Sequence, residues 1–75
     1  MTVLEHIQMY LCEHVGCDVE DATLAATFDE LNVAPYDCEA LALHLEELYE
    51  LRIPDDELTA FDTLEDMVGY LEDRF

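Results

Sequence analysis

Apolar residues recur at helical spacing close to the amino terminus. Thr2 stands three positions before Glu5, the pattern of a capping box, and marks the expected helix start. Gly16 suits the left-handed position that follows many helix ends. These signals predict a first helix over residues 3–15. The apolar positions that define its buried side are Val3, Leu4, Ile7, Tyr10, Leu11 and Val15.

The rest of the pattern predicts three more helices. Pro35 suits the first position of a helix, where no backbone N–H is needed, and helical spacing continues to Leu51. Residues 55–61 form a short predicted helix, and Thr63 marks the start of the last one. No segment alternates with the period of a strand. The sequence therefore predicts an all-α bundle of three main helices plus one short helix, in a single domain over residues 1–75.

A long connection separates the first two predicted helices. It covers residues 17–34, and so long a segment without structure is unusual in a small domain. We expect the apolar side chains of Leu24, Phe28 and Leu31 to hold it against the core.

The charge of the chain limits its possible partners. Twenty acidic residues face two arginines and no lysine, which gives a formal net charge of -18. Binding to nucleic acid through phosphates, or to an anionic membrane, requires the opposite sign. The charge favours a basic protein surface as partner, although solubility or adaptation to high salt explains it equally well.

Size and cysteine content favour a small cytoplasmic protein without enzyme activity. Seventy-five residues cannot enclose a cleft between two domains, so an enzyme is not expected. Three cysteines without framework spacing suit a reducing compartment. The amino terminus has no basic segment of a signal peptide, and the apolar runs are too short to span a bilayer. We expect a monomer in the cytoplasm.

Three segments together resemble the acyl carrier protein family. Residues 13–16 (EHVG) resemble the end of the family's first helix, and residues 45–55 (LEELYELRIPD) resemble its "LEEEF…IPD" stretch. Residues 61–64 (FDTL) resemble the start of its final helix. The match covers the whole chain in the family's order. It implies the acyl-carrier-protein-like bundle as the fold.

The resemblance fails at the residue that carries the family's chemistry. Acyl carrier proteins hold a phosphopantetheine arm on a serine at the start of the second helix. Counting back from Ile53 at the family's spacing places Pro35 at that position, and the sequence contains no serine. Cys38 is the alternative attachment residue, but the helical wheel directs its sulfur inward, beside Leu45 and Tyr49. The comparison therefore implies a carrier fold without a cofactor.

One face of the second helix keeps the features of a recognition surface. In acyl carrier proteins this helix is the recognition element. The enzymes that use the carrier contact it with basic patches arranged around an apolar contact. The helical wheel places six residues of this helix on its outward side, and Asp55 matches a further acidic position of the family. We call this set the helix-two surface: Tyr36, Glu39, Leu43, Glu46, Glu47, Glu50 and Asp55. The alternative is a solvated face with one stray leucine.

Three functions remain open on the sequence. The first is a non-enzymatic interaction module that docks to proteins through the helix-two surface, without a prosthetic group. The second is a genuine carrier of acyl or other thioester cargo modified at a non-standard residue. The third is an acidic mimic of nucleic acid that inhibits a DNA- or RNA-binding protein.

The histidines and the core define two further candidate sites. His6, His14 and Cys17 lack a second pair of ligands at a spacing that suits zinc, so no metal site is predicted. A residual inner space is expected between the last three helices. Its expected lining is Leu41, Leu45, Tyr49, Ile53, Phe61, Val68 and Leu71.

Overall fold

Among residues 2–74, a computed structural model has four α-helices, which pack into a bundle of 27 × 26 × 20 Å. The structure describes residues 2–74. The helices are α1 (Val3–His14), α2 (Pro35–Tyr49), α3 (Asp55–Ala60) and α4 (Leu64–Glu72). Helix α1 packs against both α2 and α4, and the short α3 packs against α2. The predicted all-α fold is confirmed.

Capping boxes start the first and last helices, as predicted. The Thr2 hydroxyl accepts a hydrogen bond from the Glu5 N–H at 3.2 Å, and the Glu5 carboxylate accepts one from the Thr2 N–H at 2.9 Å. Thr63 and Asp66 form the same reciprocal pair at the start of α4. The backbone hydrogen bonds lower the pKa of both acidic side chains, because they favour the ionised form.

Three helix ends differ from the prediction. Helix α1 ends at His14, one residue before the predicted limit. Helix α2 stops at Tyr49 rather than Leu51, because Glu50 adopts a left-handed conformation with φ 55°. A residue other than glycine is uncommon there, so the sequence carried no stop signal at this point. Helix α3 ends at Ala60, one residue before the predicted limit. Gly16 has φ +90° after α1, as its position predicted.

Apolar side chains from all parts of the chain meet in one core. Within residues 2–74 no polar or charged residue is fully buried. The largest buried side chains come from α1, α2 and α4, which is why these three helices define the bundle. They are Ile7, Leu11, Leu41, Leu45, Leu64, Met67 and Leu71.

The long connection is held partly by side chains and partly by its backbone. Phe28 and Leu31 are buried, as expected, but the Leu24 side chain is 39% exposed, so its predicted role as an apolar anchor was wrong. Its carbonyl instead accepts a hydrogen bond from the Glu65 N–H at 3.0 Å. Pairing of the connection with the start of α4 continues at Thr27, which forms an isolated antiparallel bridge with Thr63.

Candidate functional site

The start of α2 is formed by the backbone without a side-chain cap. Ala34 occupies the cap position and makes no side-chain hydrogen bond, while its carbonyl accepts from the Cys38 N–H at 3.0 Å. Pro35 follows as the first helical residue and is exposed to solvent. This turn presents no serine or threonine hydroxyl, and the hydroxyl that follows Pro35 in the sequence is the Tyr36 phenol. These residues do not fit a phosphopantetheine arm attached through a serine phosphoester.

The helix-two surface combines two exposed apolar residues with exposed carboxylates along the same side of α2. Tyr36 and Leu43 are 71% and 61% exposed, so neither is part of the core. Both lie on the outward side of α2, as the helical wheel predicted. The carboxylates exposed around them are Glu39, Glu47, Glu50 and Asp55. An apolar centre within a charged rim is the usual anatomy of a protein interface.

Glu46 differs from the other members of the helix-two surface. Its side chain is half-buried, and Oε2 accepts a hydrogen bond from the backbone N–H of Ile53 at 2.9 Å. Its backbone carbonyl also accepts hydrogen bonds from the N–H groups of Glu50 and Leu51. Glu46 therefore holds the turn between α2 and α3 together, a role that the sequence pattern did not reveal.

Cys38 is poorly suited to act as a nucleophile. The residue is half-buried and packs against the core, as the helical wheel predicted. Burial raises the pKa of its thiol, and the neighbouring charges of Asp37 and Glu39 raise it further. Because the thiolate is the reactive form, Cys38 should be inert at neutral pH.

An open cleft with a volume of about 480 Å³ lies beside the start of α2. We call it the α2–α3 cleft, since α2 and α3 form two of its walls and the end of the long connection forms the third. The cleft does not coincide with the inner space that the sequence predicted. Of the seven residues expected to line that space, only Phe61 borders the cleft. The residues that line the cleft are Phe28, Asp29, Val33, Pro35, Cys38, Glu39, Asp55, Leu58, Thr59, Phe61 and Asp62.

The histidines of α1 contact tyrosine rings. His6 Nδ1 is hydrogen-bonded to the Tyr49 hydroxyl across the α1–α2 seam. The ring of His14 stacks on Tyr10 with centroids 4.2 Å apart. Within residues 2–74, no three histidine, cysteine, aspartate or glutamate side chains form a group that could hold a metal ion. In the same part of the chain, no helix has the length and apolarity needed to cross a membrane.

Leu48 is an exposed apolar residue of α2 that the sequence analysis missed. Its side chain is 45% exposed. The apolar spacing of Leu41, Leu45 and Leu48 resembles a buried stripe, yet Tyr49 takes the inward position in the last turn. The sequence analysis placed Tyr49 inward beside Leu45, in agreement with the structure, but the apolar pattern gave no signal that Leu48 would be exposed.

Known proteins similar to this chain include three bacterial acyl carrier proteins. The acyl carrier protein of Streptococcus pyogenes serotype M3 is 30% identical over 74 residues, which covers 99% of this chain and 97% of that protein. The acyl carrier protein of Streptococcus thermophilus has the same identity and coverage. The acyl carrier protein of Phenylobacterium zucineum is 33% identical over 73 residues, covering 96% and 92% of the two chains. No protein-family model matches the chain.

Proposed function

This chain belongs to the acyl carrier protein family, and we propose that it is a non-enzymatic interaction module that carries no phosphopantetheine arm. In this proposal it docks to the basic surface of a protein partner, such as a carrier-using enzyme, through the helix-two surface. A regulatory or scaffolding role follows, since a bound partner receives no thioester cargo from it.

The observation that carries the proposal is the contrast between two parts of the same helix. The first turn of α2 offers a proline where the family resemblance places the attachment serine. Farther along the helix, Leu43 remains exposed beside Glu39 and Glu47. The exposed Leu43 supports docking, whereas a proline in place of serine leaves no hydroxyl for attachment of a phosphopantetheine arm. The half-buried thiol of Cys38, with its raised pKa, is a poor substitute.

Intact-mass measurement tests the loss of the arm. The protein is incubated with coenzyme A and a broad-specificity phosphopantetheinyl transferase, beside an ordinary acyl carrier protein as positive control. We expect no mass gain while the control is fully modified. A gain of one phosphopantetheine would overturn the proposal in favour of a carrier, and fragmentation would identify the modified residue.

A restored attachment site provides the matched variant. Ala34→Asp combined with Pro35→Ser returns the family's capping aspartate and serine to the first turn of α2. Ala34 has no side-chain cap to lose, and Pro35 is exposed, so the fold should tolerate both changes. We expect the double variant to be modified by the transferase. A folded variant that stays unmodified would show that this enzyme does not recognise the helix-two surface.

Competition tests docking independently of attachment. We expect the wild-type chain to slow the loading of an ordinary acyl carrier protein, because both present an acidic α2 to the transferase. Leu43→Arg should abolish this inhibition, while Leu24→Arg serves as control, since Leu24 is also exposed but lies outside α2. Equal inhibition by all three proteins would remove the helix-two surface from the proposal. Selective capture of a DNA- or RNA-binding protein would favour the acidic mimic.

We also place the protein in the cytoplasm. Cys12, Cys17 and Cys38 are free thiols, which suits a reducing compartment.

A further inference from the structure

The walls of the α2–α3 cleft are apolar where they are deepest. Phe28 and Val33 are buried residues of the connection, and Leu58 and Phe61 are half-buried at the α3 side. A volume of about 480 Å³ lies within the range of roughly 300–1,000 Å³ that ligand pockets usually have. The cleft can therefore receive an apolar group the size of a large side chain.

The rim of the cleft selects the charge of the group that enters. Its four acidic residues are all exposed, and no basic residue lines the cleft among the residues that the structure describes. A fatty-acid carboxylate or a phosphate would face like charges at every side of the rim. A lysine or arginine would find opposite charges there. The rim carboxylates belong to Asp29, Glu39, Asp55 and Asp62.

The cleft is continuous with the helix-two surface. Glu39 and Asp55 belong to both, since they border the cleft and are also members of the helix-two surface near Leu43. A second, smaller depression shares Glu39, Asp55 and Leu58 with the cleft and extends to Leu43. A partner seated on the helix-two surface would thus reach the cleft without leaving contact with α2.

We propose that the α2–α3 cleft binds an apolar side chain of a partner segment whose flanking residues are lysine or arginine. This inference rests on the proposed function, because it names which part of a docked protein enters the fold. The apolar side chain supplies the anchor in a desolvated pocket, and the basic flanks pair with the rim. Pro35 leaves the mouth of the cleft without an attached arm, so the mouth stays open to a partner.

A peptide with one tryptophan tests the proposal directly. The protein contains no tryptophan, so the emission of a tryptophan placed between lysines reports the environment of the anchor alone. The probe is a synthetic lysine-rich peptide of about a dozen residues, titrated with protein at about 0.15 M salt to limit non-specific attraction between exposed charges. We expect saturable binding with a blue shift of the emission.

Matched variants separate the cleft from general charge attraction. Thr59→Lys places a cation in the cleft, and Ala60→Lys adds the same charge to the next residue of α3, which does not line it. We expect Thr59→Lys to weaken binding at least tenfold and to remove the blue shift, with less than a threefold change for Ala60→Lys. Asp62→Lys at the rim, compared with Asp73→Lys outside it, repeats the test at a second position.

Each alternative occupant has its own result. Equal weakening by Thr59→Lys and Ala60→Lys, or binding without a blue shift, would reduce the interaction to surface charge and overturn the cleft. Tighter binding of dodecanoate than of the peptide, measured by displacement, would make the cleft a lipid site. A dimer of the free protein that Thr59→Lys dissociates would make the occupant a second copy.

Failure of the cleft and failure of the proposed function remain distinguishable. If Leu43→Arg abolishes peptide binding while Thr59→Lys behaves as Ala60→Lys, docking through the helix-two surface stands and the cleft proposal is wrong. If the wild-type protein gains a phosphopantetheine, the proposed function is wrong, whatever the peptide does.

Discussion

Glu46 gives the sharpest test of how α2 is joined to α3. Its carboxylate accepts a hydrogen bond from the backbone N–H of Ile53 at 2.9 Å, and Ile53 is only 5% exposed. Removing the carboxylate leaves that N–H in an environment where water cannot easily replace the lost acceptor. We therefore expect Glu46→Ala to destabilise the fold, unlike truncation of an exposed glutamate.

The expected loss follows from the kind of hydrogen bond. A bond to a charged acceptor contributes about 1.5–3 kcal/mol to stability, and a buried N–H left without a partner costs about 1–3 kcal/mol. These figures describe one interaction, so Glu46→Ala should lower the free energy of unfolding by roughly 1.5–3 kcal/mol. Each kcal/mol lowers the Tm of a domain this small by about 4–8 °C. Glu46→Gln keeps a neutral acceptor and should lose less.

Glu47→Ala is the matched control, since Glu47 is the adjacent residue and is exposed. Both substitutions remove one negative charge from α2, so relief of self-repulsion affects them alike. Unfolding of the wild type and of the Glu46→Ala, Glu46→Gln and Glu47→Ala variants in urea, followed by circular dichroism, gives the differences in the free energy of unfolding. Equal stability of Glu46→Ala and Glu47→Ala would refute the role assigned to the Glu46 carboxylate.

Three further predictions concern charge, pH and reactivity. Moderate salt or magnesium should raise the Tm, because cations screen the repulsion of a chain with net charge -18; an unchanged Tm between low and moderate salt would contradict this. Hydrogen bonds from the backbone N–H groups of Asp62 and Thr63 lower the pKa of Asp66 from its ordinary value of 3.8. The charged side chain therefore stabilises the fold fully at pH values above 3.8, and this contribution is lost as the pH falls through the lowered pKa. The stability gap between wild type and Asp66→Asn should accordingly be constant near neutral pH and close in acid, and a gap unchanged down to about pH 2 would argue against this linkage. Cys38 should react slowly with an alkylating reagent in the folded protein and rapidly after unfolding, as followed by mass; fast labelling of the folded protein at Cys38 would reopen its candidacy as an attachment residue.

Local interactions explain which features could be predicted from the sequence. Thr2 and Thr63 announce helix starts because each capping box involves residues only three positions apart. The exposure of Tyr36 and Leu43 follows from helical periodicity in the same way. Such features depend on a few neighbouring residues, so the sequence alone was enough.

The features that escaped prediction depend on distant parts of the chain. Glu50 ends α2 in a left-handed conformation without being glycine, while the turn that follows is held by the Glu46 carboxylate seven residues before Ile53. Leu24 contributes a carbonyl rather than its side chain, because the connection pairs with the start of α4. The α2–α3 cleft arises where α3 lies beside the connection, and no single segment encodes that arrangement.

A proline at the start of α2 does not weaken the fold. At the first position of a helix the backbone N–H has no intrahelical partner, so a proline there sacrifices no hydrogen bond and its fixed φ favours the helical start. The buried leucines of α2, Leu41 and Leu45, lie farther along the helix, so a change at Pro35 does not alter them. Chemistry and stability are thus separable at Pro35, so the proposed absence of a phosphopantetheine arm is compatible with an α2 surface that keeps its shape and charge.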